Sequence, residues 1–417
     1  MIEILYKKDC CGCTACAGKC PKQCISLKED EEGFLYPHVN RDACIDCGLC
    51  ETVCPVINQS NGQPLLHVYA AKNRNEEIRL KSSSGGIFTL LAEETLKERG
   101  VVFGARFDEN WEVKHDYTET VEGLAAFRGS KYLQSRMEDN YKKAETFLKQ
   151  GRKVLFSGSP CQIAGLKKFL RKEYGNLLAV DFICHGVPSP KVWRMYLDET
   201  CKKIIEQGGK NSVSSVLTNG GRKSCVEAIG FRNKILGWKK YSFSLQLNSV
   251  LIGTGKNTVG LCEPHPENIF MRGFLSNLYL RPACHQCAAK SGKSGSDLTI
   301  ADYWGIGRFM PDFDDDRGVG LVLVNSTKGE KLYNTLSACM ESRETGIEDA
   351  LCCNAGFKAT IAIPSQRSKF FIAMQNGMSM EQNVKMCLHI PFAIRVARKI
   401  KQRTKKAVKK IICKKIN

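Results

Sequence analysis

Eight cysteines near the start of the chain form two copies of one spacing pattern. Each copy reads C-x2-C-x2-C-x3-C and is followed by proline. Such runs hold cubane iron–sulfur clusters through their thiolates, and the fourth cysteine of each run ligates the other cluster. The sequence therefore predicts two 4Fe–4S clusters. Their predicted ligand sets are Cys10, Cys13, Cys16 and Cys54 for the first cluster, and Cys44, Cys47, Cys50 and Cys20 for the second.

Zinc is the alternative metal for this pattern, because C-x2-C pairs also form tetrahedral zinc sites. A zinc site needs only four ligands, so eight cysteines in proline-terminated runs favour iron–sulfur clusters over zinc. Cys11 and Cys24 fall outside the ligand register, and we interpret both as packed or neighbouring thiols.

An alternation of helices and strands in the middle of the chain brings two further cysteines together. The hydrophobic pattern predicts a helix over 138–150, a strand over 153–156, a helix over 162–174, a strand over 177–183 and a helix over 190–205. Alternation of this kind predicts a parallel sheet. Cys161 and Cys184 follow the carboxyl ends of the two strands, where open α/β sheets bind ligands. We therefore expect these two cysteines to share one crevice.

A loop rich in serine and glycine precedes the first long helical pattern. Residues 82–86 read Ser-Ser-Ser-Gly-Gly, an apolar helical face follows, and Gly100 ends it before a buried strand at 101–105. Free backbone N–H groups and the positive end of the helix dipole at such a position favour a bound phosphate. A serine N-cap with flexible glycines is the plainer interpretation, and the loop alone does not decide between the two.

The composition is that of a soluble protein with two or three domains. The chain has 417 residues, of which 43% are hydrophobic and 25% are charged. It contains no apolar run of ~18 residues that could span a bilayer, and its first residues lack a signal-peptide pattern. Abundant cysteines without a disulfide pattern fit the reducing cytoplasm.

The positive charge of the chain is concentrated near its C-terminus. The formal net charge is +19, and eleven lysines and arginines lie between Arg395 and Lys415. Hydrophobic residues recur among them at helical spacing, which predicts a basic amphipathic helix that contacts an anionic membrane surface. A solvated helix is the alternative, and nucleic acid is not expected because no recognition motif accompanies the charge. The predicted location is cytoplasmic, with peripheral binding at the inner face of the membrane.

Several short motifs occur in the order found in one known family. They are Ser83-Ser84-Gly85-Gly86, Arg128-Gly129-Ser130-Lys131-Tyr132, Gly158-Ser159-Pro160-Cys161-Gln162, Cys184-His185-Gly186-Val187-Pro188, Phe231-Arg232-Asn233-Lys234 with Gly237-Trp238, and Cys284-x2-Cys287 with Asp302-Tyr303-Trp304-Gly305. Over about residues 1–310, the chain resembles the family of beta subunits of coenzyme F420 hydrogenases and dehydrogenases. Members of that family fuse a two-cluster ferredoxin module to a flavin-binding α/β domain.

The resemblance implies a second set of cofactor sites. It implies FAD or a related flavin that is held by Ser83, Ser84, Gly85, Gly86, Ser130 and Lys131. It also implies a third 4Fe–4S cluster on Cys161, Cys184, Cys284 and Cys287, with zinc or plain buried thiols at these positions as the alternatives. His185 and Asp302 are the candidate catalytic residues. The alternatives are a hydrogen-bonding role for His185 and a turn role for Asp302.

We therefore expect an α+β and α/β protein with a small bacterial-type ferredoxin module, a mostly parallel-sheet flavin-binding domain, a β-rich insertion and a basic C-terminal helix. The expected divisions are a ferredoxin domain at 1–57, a linker at 58–66, an oxidoreductase domain at 67–310 with parts 67–150 and 151–310, an extension at 311–390 and a basic tail at 391–417. The expected function is electron transfer between a ferredoxin-like or other redox partner, the clusters, the flavin and a two-electron small organic substrate. An electron-transfer subunit without a substrate site of its own is the alternative.

Overall fold

The computed structural model describes residues 1–207, 226–248 and 259–389. The predicted basic tail at 391–417 lies outside these residues, and so does part of the predicted β-rich insertion. Within the described ranges, no helix is both long enough and apolar enough to cross a membrane.

The N-terminal module consists of a β-hairpin and two short helices that carry cysteines. Helix α1 spans Ala15–Lys19 and helix α2 spans Leu49–Thr52. Strands β1 (Ile25–Glu29) and β2 (Leu35–Val39) pair in antiparallel register and form the β-hairpin between the two cysteine runs. Gly48, which precedes α2, has a φ of +69°, a conformation that glycine adopts without a steric penalty. The second cysteine run can therefore turn sharply between its second and third members.

The rest of the described chain contains two further sheets. Their strands are β3 (His67–Asn73), β4 (Val101–Phe107), β5 (Val113–Thr118), β6 (Val154–Ser157), β7 (Leu177–Phe182), β8 (Val226–Asn233), β9 (Ser242–Leu247), β10 (Val259–Pro264), β11 (Leu298–Asp302), β12 (Gly320–Val324) and β13 (Met340–Glu344). The large sheet has eight strands in the order β13-β3-β12-β11-β7-β6-β4-β5. The small sheet has three strands in the order β10-β9-β8.

The large sheet is mixed, which corrects the expectation of a mostly parallel sheet. Strands β4, β6, β7 and β11 run parallel to one another, and helices lie in the segments that join them. The remaining pairings in this sheet, β4 with β5, β11 with β12, β12 with β3 and β3 with β13, are antiparallel. The connection after β11 begins and ends at the same end of the strands. Strand β12 therefore runs antiparallel to β11.

The helices outside the N-terminal module pack mainly against these sheets. They are α3 (Glu76–Lys81), α4 (Ile87–Lys97), α5 (Asn140–Lys149), α6 (Pro160–Leu170), α7 (Pro190–Gln207), α8 (Ile269–Leu275), α9 (Thr327–Thr335), α10 (Ile347–Leu351), α11 (Arg367–Gln375) and α12 (Met380–Leu388). Short 3-10 helices span Lys7–Asp9, Glu122–Ala126, Pro282–Gln286, Ile306–Arg308, Pro311–Phe313, Ser337–Cys339 and Ala355–Phe357. The predicted helix at 162–174 ends earlier, because Arg171 adopts a left-handed backbone with φ of +59°.

Both faces of the large sheet are covered by apolar cores. On one face, Phe103 and Phe156 belong to a core that includes residues of α5 and α6. On the other face, Val102 and Leu155 belong to a core that includes residues of α4. Successive residues of β4 and β6 therefore point into different cores, which explains why these strands are continuous apolar runs in the sequence.

The small sheet and the C-terminal helices share a third core. Trp193 of α7 packs there with Phe243 of β9, Phe270 of α8 and Phe370 of α11. Strands β12 and β13 pair within the large sheet, so that sheet continues past the expected division at residue 310.

Candidate metal centres and cofactor cavity

The cysteines of the first predicted ligand set line one small cavity in the N-terminal module. They are Cys10, Cys13, Cys16 and Cys54. Three come from the first run and the fourth from the second, so the crossed arrangement expected from the spacing is geometrically available. Burial, together with the neighbouring Cys10 and Cys54, raises the pKa of the Cys16 thiol to about 12. Crowded, buried thiols of this kind lose their protons readily only when a metal is bound, which fits a metal centre.

The second predicted ligand set lines a separate cavity at the outer end of the module. It comprises Cys20, Cys44, Cys47 and Cys50, and Cys24 lies on the same wall. Cys24 Sγ lies 3.4 Å from Cys20 Sγ, so Cys24 is a close neighbour of this candidate centre. The backbone N–H of Ile2 donates a hydrogen bond to Cys50 Sγ at 3.2 Å. Cys47 is exposed to solvent, whereas Cys20 and Cys50 are buried.

A third cavity, of about 60 Å³, contains the four cysteines that the family resemblance singled out. Cys161 lies in the first turn of α6 and Cys184 follows β7, so the neighbouring strands β6 and β7 position both thiols. Cys284 and Cys287 come from the 3-10 turn at Pro282–Gln286 and its end. Burial and the proximity of Cys284, Cys161 and Cys287 raise the pKa of the Cys184 thiol well above its ordinary range. The expected shared crevice therefore exists, and four thiols face it.

The cysteines surround cavities and do not converge on single points. Among residues 1–207, 226–248 and 259–389, no three Cys, His, Asp or Glu side chains are close enough together to hold one metal ion.

Cys11 lies on the wall that separates the first cavity from the third. Its thiol lies close enough to the thiols of Cys13 and Cys161, one from each candidate centre, to change the pKa of both. Cys11 is thus a neighbouring thiol, as interpreted from the sequence, but its place between two centres could not be read from the spacing.

A much larger cavity, of about 620 Å³, lies beside the third one. It is lined by all six residues that the resemblance assigned to a flavin, namely Ser83, Ser84, Gly85, Gly86, Ser130 and Lys131, and by both candidate catalytic residues, His185 and Asp302. Aromatic side chains supply much of the remaining wall, among them Phe127, Tyr132, Tyr241, Phe274 and Trp304. A cavity of this size, with apolar walls and a few polar groups, is typical of a cofactor site.

The serine- and glycine-rich loop presents the start of α4 to this cavity. Gly86 is the N-cap and has a left-handed backbone, so no side chain caps the first N–H groups of the helix. A Cβ atom on Gly85 would lie 2.3 Å from the Ala71 carbonyl oxygen, so the loop can pack this closely on β3 only with glycine. Ser83 Oγ accepts hydrogen bonds from the Ser130 N–H and hydroxyl, at 2.6 and 2.9 Å. The hydroxyl of Ser84 instead donates to the Val319 carbonyl oxygen at 2.8 Å.

Lys131 is a cation without an anionic partner in the part of the chain that the structure describes. Its Nζ donates to the carbonyl oxygens of Phe127, Arg128 and Gly129, at 3.3, 3.0 and 3.2 Å. Burial, and then the charge of Arg106, lower the pKa of Lys131 from 10.5 to about 7. A buried amine in this state gains stability from a nearby anion, and the uncapped start of α4 favours an anion at the same cavity.

His185 lies where the third cavity meets the large one. Its Nε2 lies 2.8 Å from Asn277 Oδ1, and its ring packs edge-on against Phe274. Burial lowers its pKa, so the imidazole is neutral near pH 7. The hydrogen bond to the Asn277 amide oxygen fixes the orientation of the ring.

Asp302, which also lines the large cavity, forms a charged hydrogen-bond network. Its carboxylate accepts two bonds from Arg232, at 2.9 and 3.0 Å, and one from Trp238 Nε1 at 2.7 Å. The Arg232 guanidinium also lies over the rings of Tyr241 and Trp304. Asp302 thus has more than a turn role, since it balances a buried cation.

The sequence did not assign a role to several residues around these cavities. Arg232 and Lys234 belong to a motif that carried the family resemblance, yet their contacts with Asp302 and with the Ser84 carbonyl appear only in three dimensions. Arg281 precedes Cys284 by three positions and donates to the backbone oxygen of Cys10, 271 positions away. No local pattern predicts a contact over such a separation.

The four cavities follow one another in a fixed order. Cys16 and Cys54 of the first cavity pack in one cluster of buried residues with Cys20 and Cys50 of the second, so these two cavities are neighbours. Cys11 and Val56 line both the first and the third cavity. Ile183, Cys184 and His185 line both the third cavity and the large one. The arrangement therefore forms a continuous row from the exposed Cys47 to the large cavity.

Family models match most of the chain. The model for the C terminus of the coenzyme F420 hydrogenase/dehydrogenase beta subunit matches residues 151–349, and the model for the N-terminal region of the same protein matches residues 68–140. The model of a 4Fe–4S dicluster domain matches residues 9–58.

Curated relatives are similar to part of the chain. The F subunit of the F(420)H(2) dehydrogenase of Methanosarcina mazei is 23% identical over 230 residues, which cover 52% of this chain and 64% of that protein. The PorD subunit of the pyruvate synthase of Thermotoga maritima is 42% identical over 55 residues, which cover 13% of this chain and 52% of that protein. This chain thus spans less than two thirds of the length of either relative. A solved chain from the F420-reducing NiFe hydrogenase complex of Methanosarcina barkeri is 19% identical, with a TM-score of 0.45, over 71% of this chain and 88% of that one.

Proposed function

The chain belongs to the family of coenzyme F420 hydrogenase/dehydrogenase beta subunits and carries a 4Fe–4S dicluster domain, and from this premise we propose a path for electrons through it. The path runs from a ferredoxin-like or other redox partner through three iron–sulfur clusters to a flavin, and from there to a two-electron substrate. The observation that carries the proposal is the unbroken row of cavities, each of which shares walls or neighbouring cysteines with the next.

The proposed ligands of the clusters are the twelve cysteines of three cavities. Cys10, Cys13, Cys16 and Cys54 hold the inner ferredoxin-type cluster, and Cys20, Cys44, Cys47 and Cys50 hold the outer one. Cys161, Cys184, Cys284 and Cys287 hold the third. In this arrangement, Cys11 lines the cavities of both the inner ferredoxin-type cluster and the third cluster. Because neighbouring cavities share lining residues, the proposed order of the path is the order of the cavities.

The proposed flavin site lies in the large cavity, with a phosphate at the start of α4. The uncapped N–H groups of that helix and Lys131 supply positive charge at one end of the cavity. The hydrogen bonds from Ser130 to the Ser83 hydroxyl connect the loop before α4 to the loop that carries Lys131. The two sides of the proposed phosphate site are therefore linked directly. A flavin, once bound, supplies the ability to take electrons singly and to pass them on in pairs.

The walls of the large cavity provide for a substrate beside the flavin. Cys184 and His185 form the side that faces the third cavity. His185 is neutral and fixed by Asn277, which makes it a hydrogen-bonding residue rather than a charged one. Phe274 and Tyr132 stack with ring centroids 4.9 Å apart and form an apolar part of the wall. The Arg232–Asp302 pair also lines the cavity and offers a cation that is held in place.

The alternative is an electron-transfer subunit that feeds a partner enzyme and has no substrate of its own. In its favour, both curated relatives described above are named as subunits of an enzyme. Electron transfer through the row of cavities is common to both functions. They differ in whether the large cavity admits a substrate in addition to the cofactor.

The first experiment is an anaerobic purification followed by iron, sulfide and flavin analysis with low-temperature electron paramagnetic resonance. Three 4Fe–4S clusters require about twelve irons per chain. About eight irons would remove the third cluster from the proposal, and protein without flavin after incubation with FAD would remove the flavin site. The matched variants are Cys161→Ser, which should lose one cluster signal, and the exposed Cys262→Ser, which should lose none.

The second experiment separates the enzyme from the electron-transfer subunit. The loaded protein is reduced through its clusters with a ferredoxin and then offered small two-electron acceptors, with the oxidation of the bound flavin as the readout. Reoxidation by an acceptor in the purified single chain supports the enzyme. Reoxidation that occurs only after a second protein is added supports the alternative.

We also propose that the basic residues between 391 and 417 bind anionic membranes. This segment lies outside the described residues, and the proposal rests on its charge and hydrophobic spacing alone. Deletion of residues 394–417 should abolish binding to vesicles that contain phosphatidylserine and leave the iron content unchanged. Binding that survives the deletion contradicts the proposal.

A further inference from the structure

Arg281 is a buried cation that lies between the first cavity and the third. Its side chain is 1% exposed. Nε donates to the Cys10 carbonyl oxygen at 2.8 Å, and Nη2 donates to the Leu35 carbonyl oxygen at 2.9 Å. Nη2 also lies 3.5 Å from Cys10 Sγ, and the side chain forms part of the wall of the third cavity. The guanidinium therefore touches one candidate ligand of the first centre and borders the third.

The pairing of Arg281 differs from that of the other two buried arginines in the described chain. Arg79, 2% exposed, bonds to Asp315 and Glu76, and Arg232, 8% exposed, bonds to Asp302. No carboxylate in the described ranges lies within salt-bridge distance of Arg281. Its partners are carbonyl oxygens, an amide and a thiol, and its guanidinium lies over the rings of Phe34 and Tyr36. These contacts supply no full negative charge, and a buried charge without an opposite charge is costly in free energy.

The titratable side chains around Arg281 are Tyr36 and several cysteines. Burial raises the pKa of the Tyr36 hydroxyl, so Tyr36 stays neutral. Cys10 lies in direct contact with Arg281, and Cys161 and Cys284 line the third cavity, whose wall includes Arg281. A 4Fe–4S cluster with four thiolate ligands is an anion, and each electron that it accepts makes it more negative. Positive charge and N–H donors near cluster sulfur favour the reduced form, and both are recognised determinants of cluster potential.

We propose that Arg281 is the countercharge of the cluster on Cys10, Cys13, Cys16 and Cys54, and that it raises the reduction potential of this cluster. The inference rests on the proposed function, since it requires the clusters to be present. Arg281 acts on the cluster and does not react itself, so it is a positioning and tuning residue.

The test compares two substitutions at residue 281 by potentiometric titration, followed by electron paramagnetic resonance. Arg281→Gln removes the charge and keeps a hydrogen-bond donor, whereas Arg281→Lys keeps the charge. Arg281→Gln should lower the one-electron equilibrium constant for reduction of one cluster by about tenfold, equivalent to ~59 mV. Arg281→Lys should remain close to the wild type. The control is Gln134→Ala, which removes the acceptor of Arg281 Nη1 and leaves the charge in place.

Each outcome for the variants either supports or overturns the proposed role of Arg281. An unchanged potential in a fully loaded Arg281→Gln protein overturns the proposal, and so does an equal decrease in both variants at residue 281. If Arg281→Gln fails to retain iron while Arg281→Lys retains it, the charge is needed, and the proposal stands. Iron loss in both variants would show that Arg281 only docks the N-terminal module, which overturns it. Wild-type protein without iron would refute the proposed function before this comparison begins.

Discussion

Replacement of Lys131 by methionine should weaken the binding of FAD by a predictable amount. Lys131→Met removes the positive charge of Lys131 from the wall of the large cavity and keeps an unbranched side chain. A hydrogen bond to a charged group contributes about 1.5–3 kcal/mol, and ~1.4 kcal/mol corresponds to a factor of ten. The dissociation constant should therefore increase by roughly 10- to 150-fold. The variant also loses three hydrogen bonds to carbonyl oxygens, so its folding must be checked separately.

The pH dependence of FAD binding gives an independent measure of the same residue. Burial and the charge of Arg106 lower the pKa of Lys131 to about 7, so the free protein loses this charge as the pH rises above that value. A bound phosphate favours the protonated amine and raises the pKa again, so binding above pH 7 takes up a proton. The affinity of the wild type should therefore fall between pH 7 and pH 9, by at most about tenfold per pH unit. Lys131→Arg stays charged and should show little change over this range.

The assay is equilibrium titration of the deflavinated protein with FAD, monitored by flavin fluorescence under anaerobic conditions. Thermal denaturation of each variant shows whether it is folded before titration. A Lys131→Met protein that is folded and binds FAD within twofold of the wild type would refute the reasoning. A wild-type affinity that does not change between pH 7 and pH 9 would refute the role of the lowered pKa.

Three further substitutions test other parts of the structure. Cys161→Ser should reduce the iron content from about twelve to about eight per chain, while Cys262→Ser leaves it unchanged, as measured by iron and sulfide analysis. Glu32→Gln removes the half-buried carboxylate that pairs with Arg367 at 2.8 Å, and the free energy of unfolding in urea should fall by about 1–3 kcal/mol. Asp302→Asn leaves its buried arginine partner without an opposite charge and should cost about 3–5 kcal/mol in the same measurement; a loss below about 1 kcal/mol would contradict the network described for Asp302.

The spacing of the cysteines in the two N-terminal runs indicated which thiols line a common cavity, because ligand spacing is a local constraint on the backbone. The crossed set that joins Cys54 to the first run was expected from the motif alone, and the structure brings these thiols together. Cys161 and Cys184 were also placed in one crevice, because each follows a strand in an α/β alternation and β6 and β7 pair in parallel. These predictions depended on residues close to each other in sequence.

The arrangement of the outer strands was beyond the reach of local patterns. β12 pairs between β3 and β11, and the contact with β3 joins residues about 250 positions apart, such as Ala71 and Gly320. Hydrophobic periodicity shows that a segment is a strand, but it does not say which neighbour the strand takes or in which direction it runs. The contact of Arg281 with Cys10 was hidden for the same reason.

The exposure of the outer cysteine pocket determines where dissolved oxygen would act first. Cys47 is open to solvent, whereas the other seven cysteines of the two runs are buried or half-buried. Thiolates and clusters at exposed positions are the most susceptible to oxidation. With the proposed clusters bound, oxidation in air would begin at the cluster on Cys20, Cys44, Cys47 and Cys50, while the clusters on more buried cysteines stay intact. Protein exposed briefly to air would then retain most of its iron and yet lose the exchange of electrons at this end of the row.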